Sequence, residues 1–385
     1  MAQETRQLRV AVIGAGMIAN AAHIPAWKDQ PGVQVVGVAD RSRDAAAATA
    51  SRHGIPHWYE DPGRMLAELE LDAVTVCTPP RSHREYVIAA LQAGAHVLCE
   101  KPLAAASFAD ARAMFDAAKL YGRALLVGQS MRFYSQIAAA RQFAASGELG
   151  KIYYGEAARL RRRGAPRWGA FHRRSDSGGG PLLDLGVHVL DALLWILGNP
   201  RVIAASAMTC RELLNREEEW KATLADSGAP IGTFDSPPPD FRDCDVEDMG
   251  AGFLRLENGA AVTLRASWAA NVPDSVGGMV MAMGTEGGLF LDPRVPELKV
   301  VKNIAGYQVD ISPKLPPPDP SHPFYAHWKE VAHFVRVIRG DEEPLVRREE
   351  ALNVMRALEA MYRSAAEGRE VRIDVEDRIP QESLS

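Results

Sequence analysis

A chain of 385 residues, 47% of them hydrophobic and 24% charged, has apolar material for two or three packed domains. Its 44 Lys+Arg against 49 Asp+Glu leave a formal net charge of −5, and the one basic run is Arg161-Arg162-Arg163, so no nucleic-acid partner is expected. Cys77, Cys99, Cys210 and Cys244 form no CxxC pair, which removes the cue for structural zinc or a disulfide framework and fits a reducing, cytoplasmic setting.

Val10–Trp27 lacks Asp, Glu, Lys and Arg, but Glu4 precedes it and Gly14, Gly16, Asn20 and Pro25 interrupt it. It reads as a buried strand and turn, not a signal peptide or membrane span, and no membrane partner is expected. LRVAVIGAG, VQVVGVAD, DAVTVCTPP, AHVLCEKP and RALLVGQ are apolar runs ending at Gly, Pro or a polar residue. Helical stretches such as SRDAAAATASRHG, REYVIAALQAG and SFADARAMFDAAKLYG lie between them. Continuous apolar strands alternating with helices predict a parallel sheet covered on both faces.

After Met131 the pattern changes. A helix near Ser135–Ala145, a strand in KIYYGEAARLRRR and a helix from about Pro181 to Leu197 lead into successive strands from VIAASAM to LKVVKN. Glu257-Asn258-Gly259 between two alternating runs predicts a hairpin, and strands in sequence predict a second, mostly antiparallel sheet. The polar, proline-rich stretch within about 213–243 reads as an insertion loop. Helices near His327–Arg339 and Glu349–Glu367 close the chain before a frayed tail, Asp374–Ser385. The expected class is α/β, with a dinucleotide-binding Rossmann domain over 1–130 and an α/β domain over 131–385.

The motifs supply the chemistry. In VAVIGAGMIA, Gly14 permits a tight turn, Gly16 with Met17 and Ile18 brings backbone to a pyrophosphate, and Ala19 keeps helix close to strand. Asp40, at the end of the second strand, suits a ribose 2′-OH and opposes a 2′-phosphate, favouring NAD over NADP. Arg41 and Arg43 pull the other way, unless they are solvated or Arg41 stacks on adenine. Thr78-Pro79, Glu100-Lys101-Pro102 and Gln129 end later strands, on the sheet edge where ligands bind. His83 is placed either along that cleft or on a surface helix.

In GGGPLLDLGVHVLD, Asp184, His188 and Asp191 recur at i, i+4 and i+7 on one helix stripe amid leucines and valines. A buried polar stripe is costly unless partnered or facing a cavity. Removing a hydride from an alcohol carbon leaves a proton for the protein to take. Histidine suits that base, lysine less so, since its ordinary pKa is near ~10.4. Lys101 is expected to hydrogen-bond the substrate oxygen, Asp184 to orient hydroxyls and hold Lys101 and His188 together, and Asp191 to be structural. In RRRGAPRWGAFHRRSDSG, Arg161 and Trp168, with Phe171 and His172, are candidates to meet a sugar. His322, His327 and His333 fall on different helix faces and predict no metal site.

Together these motifs resemble the glucose–fructose oxidoreductase / inositol dehydrogenase / MocA family, over Leu8 to about Ile373 and including GTEGGLFLD and ALEAMYRSAAEGREVRI. The resemblance implies a Rossmann domain followed by an α/β domain with a large open sheet whose face forms homodimer or homotetramer contacts. It also implies sugar, inositol or sugar-derivative substrates and a catalytic Lys101, Asp184 and His188. Two alternatives stay open: an NAD-dependent glycosidase or lyase working through transient ring oxidation, and a non-catalytic sugar- or nucleotide-sensing regulator.

Overall fold

Apolar runs without polar alternation must be covered on both faces, and the first part of the chain does this with a parallel sheet. Its strands are β1 (Leu8–Ile13), β2 (Val33–Ala39), β3 (His57–Tyr59), β4 (Ala73–Val76), β5 (His96–Glu100) and β6 (Leu125–Gly128). They lie in the order β3-β2-β1-β4-β5-β6, every neighbouring pair parallel. The computed structural model describes residues 6–166, 169–216, 241–273 and 277–373. Trp168, most of the expected insertion and the tail 374–385 lie outside the described residues.

The crossovers are a π-helical turn, Ala19–His23, continuing into α1 (Ile24–Lys28), then α2 (Arg43–His53), α3 (Pro62–Glu68), α4 (His83–Gln92) and α5 (Phe108–Tyr121). Ser42 and Ser107 cap α2 and α5 by accepting from Ala45 N and Asp110 N, and Gly54 and Gly122 end them at φ +65° and +61°. β3 and α3 lack an apolar run to announce them; His57 and Trp58 are exposed. Strand order reverses between β1 and β4, so this topology opens a ligand crevice at their C-terminal ends.

The second sheet is built from β7 (Ile152–Leu160), β8 (Val202–Cys210), β9 (Met249–Leu256), β10 (Ala261–Ser267), β11 (Gly278–Gly284), β12 (Gly287–Leu291), β13 (Lys299–Ile304), β14 (Tyr307–Ile311) and β15 (Val371–Arg372). Their order is β14-β13-β12-β11-β7-β10-β9-β8-β15. Only β7 and β10 pair in parallel. The expected hairpin joins β9 to β10, with Gly259 at φ +85°; β14 and β15 were not foreseen. The remaining helices are α6 (Ser135–Ala145), α7 (Arg174–Ser177), α8 (Val187–Ile196), α9 (Tyr325–Arg339) and α10 (Arg348–Glu367). Leu254, Val262, Val280 and Leu289 are buried with α6, α8 and α10 in one core. The alternating residues Met208, Phe253, Met279, Met281 and Phe290 are half-buried or exposed on the other face.

The two cores do not divide the chain at one point. Val331, Phe334 and Val335 of α9 belong to the first, and α10 gives Leu352 and Met355 to the first but Leu358 and Met361 to the second. Buried Arg132 ties the same elements electrostatically. Its Nε and Nη2 donate to Asp191 of α8 at 2.8 and 2.7 Å, and Nη1 donates to Glu350 of α10. Asp191 therefore serves as the structural member of its stripe. Among the described residues the one stretch long and apolar enough to cross a membrane is Arg174–Ile196, and 89% of its apolar 18-residue window is buried within the protein.

Candidate active site

The two halves meet around a cleft of about 520 Å³ at the C-terminal ends of β1, β2, β4 and β5. Gly14 turns the chain at φ +98°, and a Cβ there would lie 2.7 Å from the Cys77 carbonyl, so only glycine fits. A Cβ on Gly16 would instead point into open space, as expected where a ligand's phosphates approach the backbone. Buried Asn20, missed by the sequence reading, fastens this loop by donating to the carbonyls of Ala15 and Gly16 and to Thr49. Gly14, Gly16, Met17, Ile18, Asp40, Arg41, Thr78 and Pro79 all line the cleft. Asp40 accepts from Ala15 N and Ser42 N, both at 2.8 Å, one to each oxygen, which fixes the carboxylate and leaves lone pairs for a ribose. Arg43 turns away and stacks on Trp58 at 5.7 Å.

Two expected cofactor residues are elsewhere. His83 is fully buried, with Nε2 2.8 Å from the Thr78 carbonyl and Nδ1 3.2 Å from that of Leu103, so it braces the turn from behind rather than facing the cleft. Gln129 is likewise buried and forms no part of the described cleft wall. The actual wall includes Pro80, which follows Thr78 and Pro79 at the end of β4, and adds Ser82 and Tyr86, whose ordinary sequence context carries no signal.

Lys101 and the site helix are brought together by the close approach of the glycine run to neighbouring backbone. A Cβ on Gly178 would sit 2.5 Å from the Ala105 Cβ, and one on Gly180 2.1 Å from the Glu247 carbonyl oxygen. The helix opens with a π-helical turn, Leu182–Gly186, before α8. Lys101 Nζ donates to Asp184 Oδ1 at 3.0 Å and to its carbonyl at 3.1 Å. Asp184 Oδ2 accepts from Trp268 Nε1 at 2.9 Å. The expected Asp184 link to His188 is thus replaced by one to Trp268 at the end of β10; His188 Nδ1 has no hydrogen-bond partner among the described residues. Lys101, Asp184 and His188 nevertheless line one cleft with the glycine loop.

The electrostatics give each group a defined state. Burial would raise the Asp184 pKa, but Lys101, Arg161 and the Trp268 hydrogen bond bring it below the usual carboxylate value. Burial drives His188 well below 6.5, with Lys101, Arg159, His327 and Arg161 adding to it, so the imidazole is neutral at pH 7. Glu100 feels burial too, yet its hydrogen bond to His23 (2.7 Å) and the charges of His23, His327 and Lys101 bring it to about 2. Its Oε2 accepts from Lys101 N, steadying the lysine's backbone.

Arg161 lines the cleft, donates to the Gly164 carbonyl at 2.9 Å, and is lowered by burial to about 10. Phe171 lines it as well, whereas His172 is buried away from it. His327 and Phe324, at the start of α9, complete the wall, and sequence spacing gave no hint of them. His322 lies 3.3 Å from Asp29, and His333 bonds Glu342 at 2.6 Å, so the three histidines point three ways.

Residues 8–129 match the oxidoreductase family with NAD-binding Rossmann fold, and 137–290 match the GFO/IDH/MocA C-terminal domain. The chain is 30% identical to D-glucoside 3-dehydrogenase of Escherichia coli over 97% of its length and 99% of that protein. It is 27% identical to scyllo-inositol 2-dehydrogenase (NAD(+)) of Bacillus subtilis over 96% and 97%. The aldose-aldose oxidoreductase of Caulobacter crescentus, solved with glycerol, superposes with a TM-score of 0.74 at 25% identity, covering 96% of this chain and all of that one. With both domain profiles matched and a glycine loop shaped for phosphates, the chain belongs to the GFO/IDH/MocA family of NAD-binding oxidoreductases.

Proposed function

We infer that the protein oxidises a ring alcohol of a sugar, cyclic polyol or sugar derivative with NAD, using Lys101, Asp184 and His188. The observation that carries this reading is the convergence of a strand-tip lysine, a neutral buried histidine and the nucleotide loop on one cleft. Bound NAD supplies the hydride acceptor. His188, uncharged at working pH, takes the hydroxyl proton. Lys101 donates a hydrogen bond to the oxygen as negative charge develops there, which preorganised donors stabilise strongly in a water-poor site. Asp184, clamped by Lys101 and Trp268, aims the ammonium and retains acceptor capacity for a neighbouring hydroxyl. The names of the two sugar and inositol relatives support the substrate class.

A spectrophotometric screen of polyols, aldoses and glycosides with NAD⁺ tests the reading. NADH accumulation that is lost in Lys101→Ala supports it; glycoside cleavage without NADH accumulation would favour the glycosidase alternative instead. For cofactor choice, Asp40→Asn keeps an acceptor for Ala15 or Ser42 but loses the charge. The NAD over NADP preference in kcat/KM is expected to narrow by roughly 10- to 100-fold, the scale of a charge-assisted hydrogen bond.

The open sheet face supports self-association, since it leaves Met208 and Phe290 exposed and Phe253 and Met281 half-buried around the Glu156–Arg265 ion pair, a mixture of apolar and paired charged groups that suits an interface. Light scattering is expected to give a dimer or tetramer that Met281→Glu dissociates; a wild-type monomer would refute this.

A further inference from the structure

Each of the three glycines ahead of the site helix makes room for a different neighbour. Gly178 lies against Ala105, but a Cβ on Gly179 would fall 2.2 Å from the Tyr362 hydroxyl oxygen and one on Gly180 2.1 Å from the Glu247 carbonyl oxygen. Glu247 stands two residues before β9, and Tyr362 lies on α10. Neither forms part of the described cleft wall, yet both reach the reacting groups through a continuous chain of hydrogen bonds.

The Glu247 side chain is buried, with the residue only 4% exposed. Its Oε2 accepts from Gly180 N at 2.9 Å, and its Oε1 accepts from Leu182 N at 3.3 Å and from Tyr362 Oη at 2.6 Å. Amides that open a helix have no carbonyl of their own helix to reach, so a carboxylate is their natural partner. Burial pushes the Glu247 carboxyl pKa up, and the bonds from Tyr362, Gly180 and Leu182 work against that shift. The Gly180 peptide passes the hold onward, because its carbonyl accepts from Asp184 N at 3.0 Å. Asp184 in turn accepts from Lys101 Nζ through both Oδ1 and its own carbonyl.

The next residue works from the other side. The Asp248 carbonyl accepts from Trp268 N at 3.0 Å, and Trp268 Nε1 donates to Asp184 Oδ2. One dipeptide therefore holds both the helix that carries Asp184 and the tryptophan that bonds its carboxylate. We propose that Glu247, pinned by Tyr362, is a positioning residue for Lys101 and Asp184, setting where the ammonium meets the substrate oxygen without touching substrate or cofactor. This inference rests on the proposed function and extends its machinery beyond the cleft. Reacting groups displaced by about 1 Å can lose on the order of 10²-fold in rate.

The test uses Glu247→Gln and Tyr362→Phe in the full chain, with the best sugar from the NAD⁺ screen. The glutamine keeps one acceptor but turns an NH₂ toward a donor. Turnover is expressed per NADH-binding site, so that misfolded protein does not count. In Glu247→Gln, kcat is expected to fall about tenfold or more, the scale of a charge-assisted hydrogen bond, and in Tyr362→Phe by less. KM for NAD⁺ and NADH affinity should stay within about twofold of wild type. Hydrogen exchange read by mass spectrometry should quicken over residues 178–188 and keep its wild-type rate over the glycine loop, 12–20.

An unchanged kcat in Glu247→Gln overturns the proposal, as does unchanged exchange over 178–188. A kcat loss matched by an equal loss of NADH affinity overturns it too, since that marks general loosening. If the Gln variant does not fold, Tyr362→Phe keeps the carboxylate and decides by the same measures. Wild-type protein that turns over no sugar defeats the dehydrogenase reading instead, while the exchange comparison still tests whether Glu247 holds the helix.

Discussion

His188→Ala is expected to lower kcat for sugar oxidation by about 10²- to 10⁴-fold while leaving NADH affinity near wild type, because it removes a general base and not a cofactor contact. The pH profile makes the assignment specific. Burial and the neighbouring positive charges set the His188 pKa well below 6.5, so the base form is already complete at pH 7. Wild-type kcat should therefore stay level as pH falls through 6.5 and drop only at lower pH, as the imidazole takes up a proton. The Ala variant should lack that acid limb. Lysine as base would produce the opposite signature, a rate still climbing into alkaline pH toward its ordinary value near ~10.4. A wild-type profile of that kind, or an unchanged kcat in His188→Ala, would remove the histidine from the mechanism.

Arg132→Met should destabilise the protein by about 3–5 kcal/mol, the cost of stripping one partner from a buried ion pair. Asp191 has zero exposure and takes both its hydrogen bonds from this guanidinium. Burial already raises its pKa against the pull of Arg132, so without the arginine the carboxylate must protonate or stay uncompensated. Because Arg132 follows β6 while its partners lie on α8 and α10, the loss reaches both cores. Urea denaturation should show a lower midpoint. Arg132→Met combined with Asp191→Leu should recover part of it, since the fully buried Asp191 is then no longer left uncompensated, while the less buried Glu350 still loses its partner. No recovery in the double variant would mean that Arg132 acts mainly through Glu350 and its contact with Trp195.

The sheets were legible because burial on two faces demands long apolar runs, and each such run in the first half became a strand. The glycine loop and Asp40 were legible because their chemistry depends on residues close in sequence. Contacts made across the fold were not. Trp268 reaches Asp184 from a strand 84 residues away, and nothing local distinguishes it from a core tryptophan. His327 enters the cleft only because α9 returns to the first core. His83 was misread because a polar residue opening a helix at a sheet edge looks available to ligand. Its ring instead turns inward between two carbonyls, and helix position alone does not determine that direction. Asp184 was expected to hold Lys101 and His188 together from one helix stripe, but its oxygens bond Lys101 and Trp268.

The most direct measurement uses a sugar deuterated at the carbon to be oxidised, incubated with NAD⁺ and the wild-type enzyme. Deuterium should appear in the nicotinamide of accumulating NADH, one for each ketone formed, and almost none should appear with Lys101→Ala or His188→Ala. Label lost to water, or carried through equally by both variants, would contradict hydride transfer governed by the Lys101 and His188 pair.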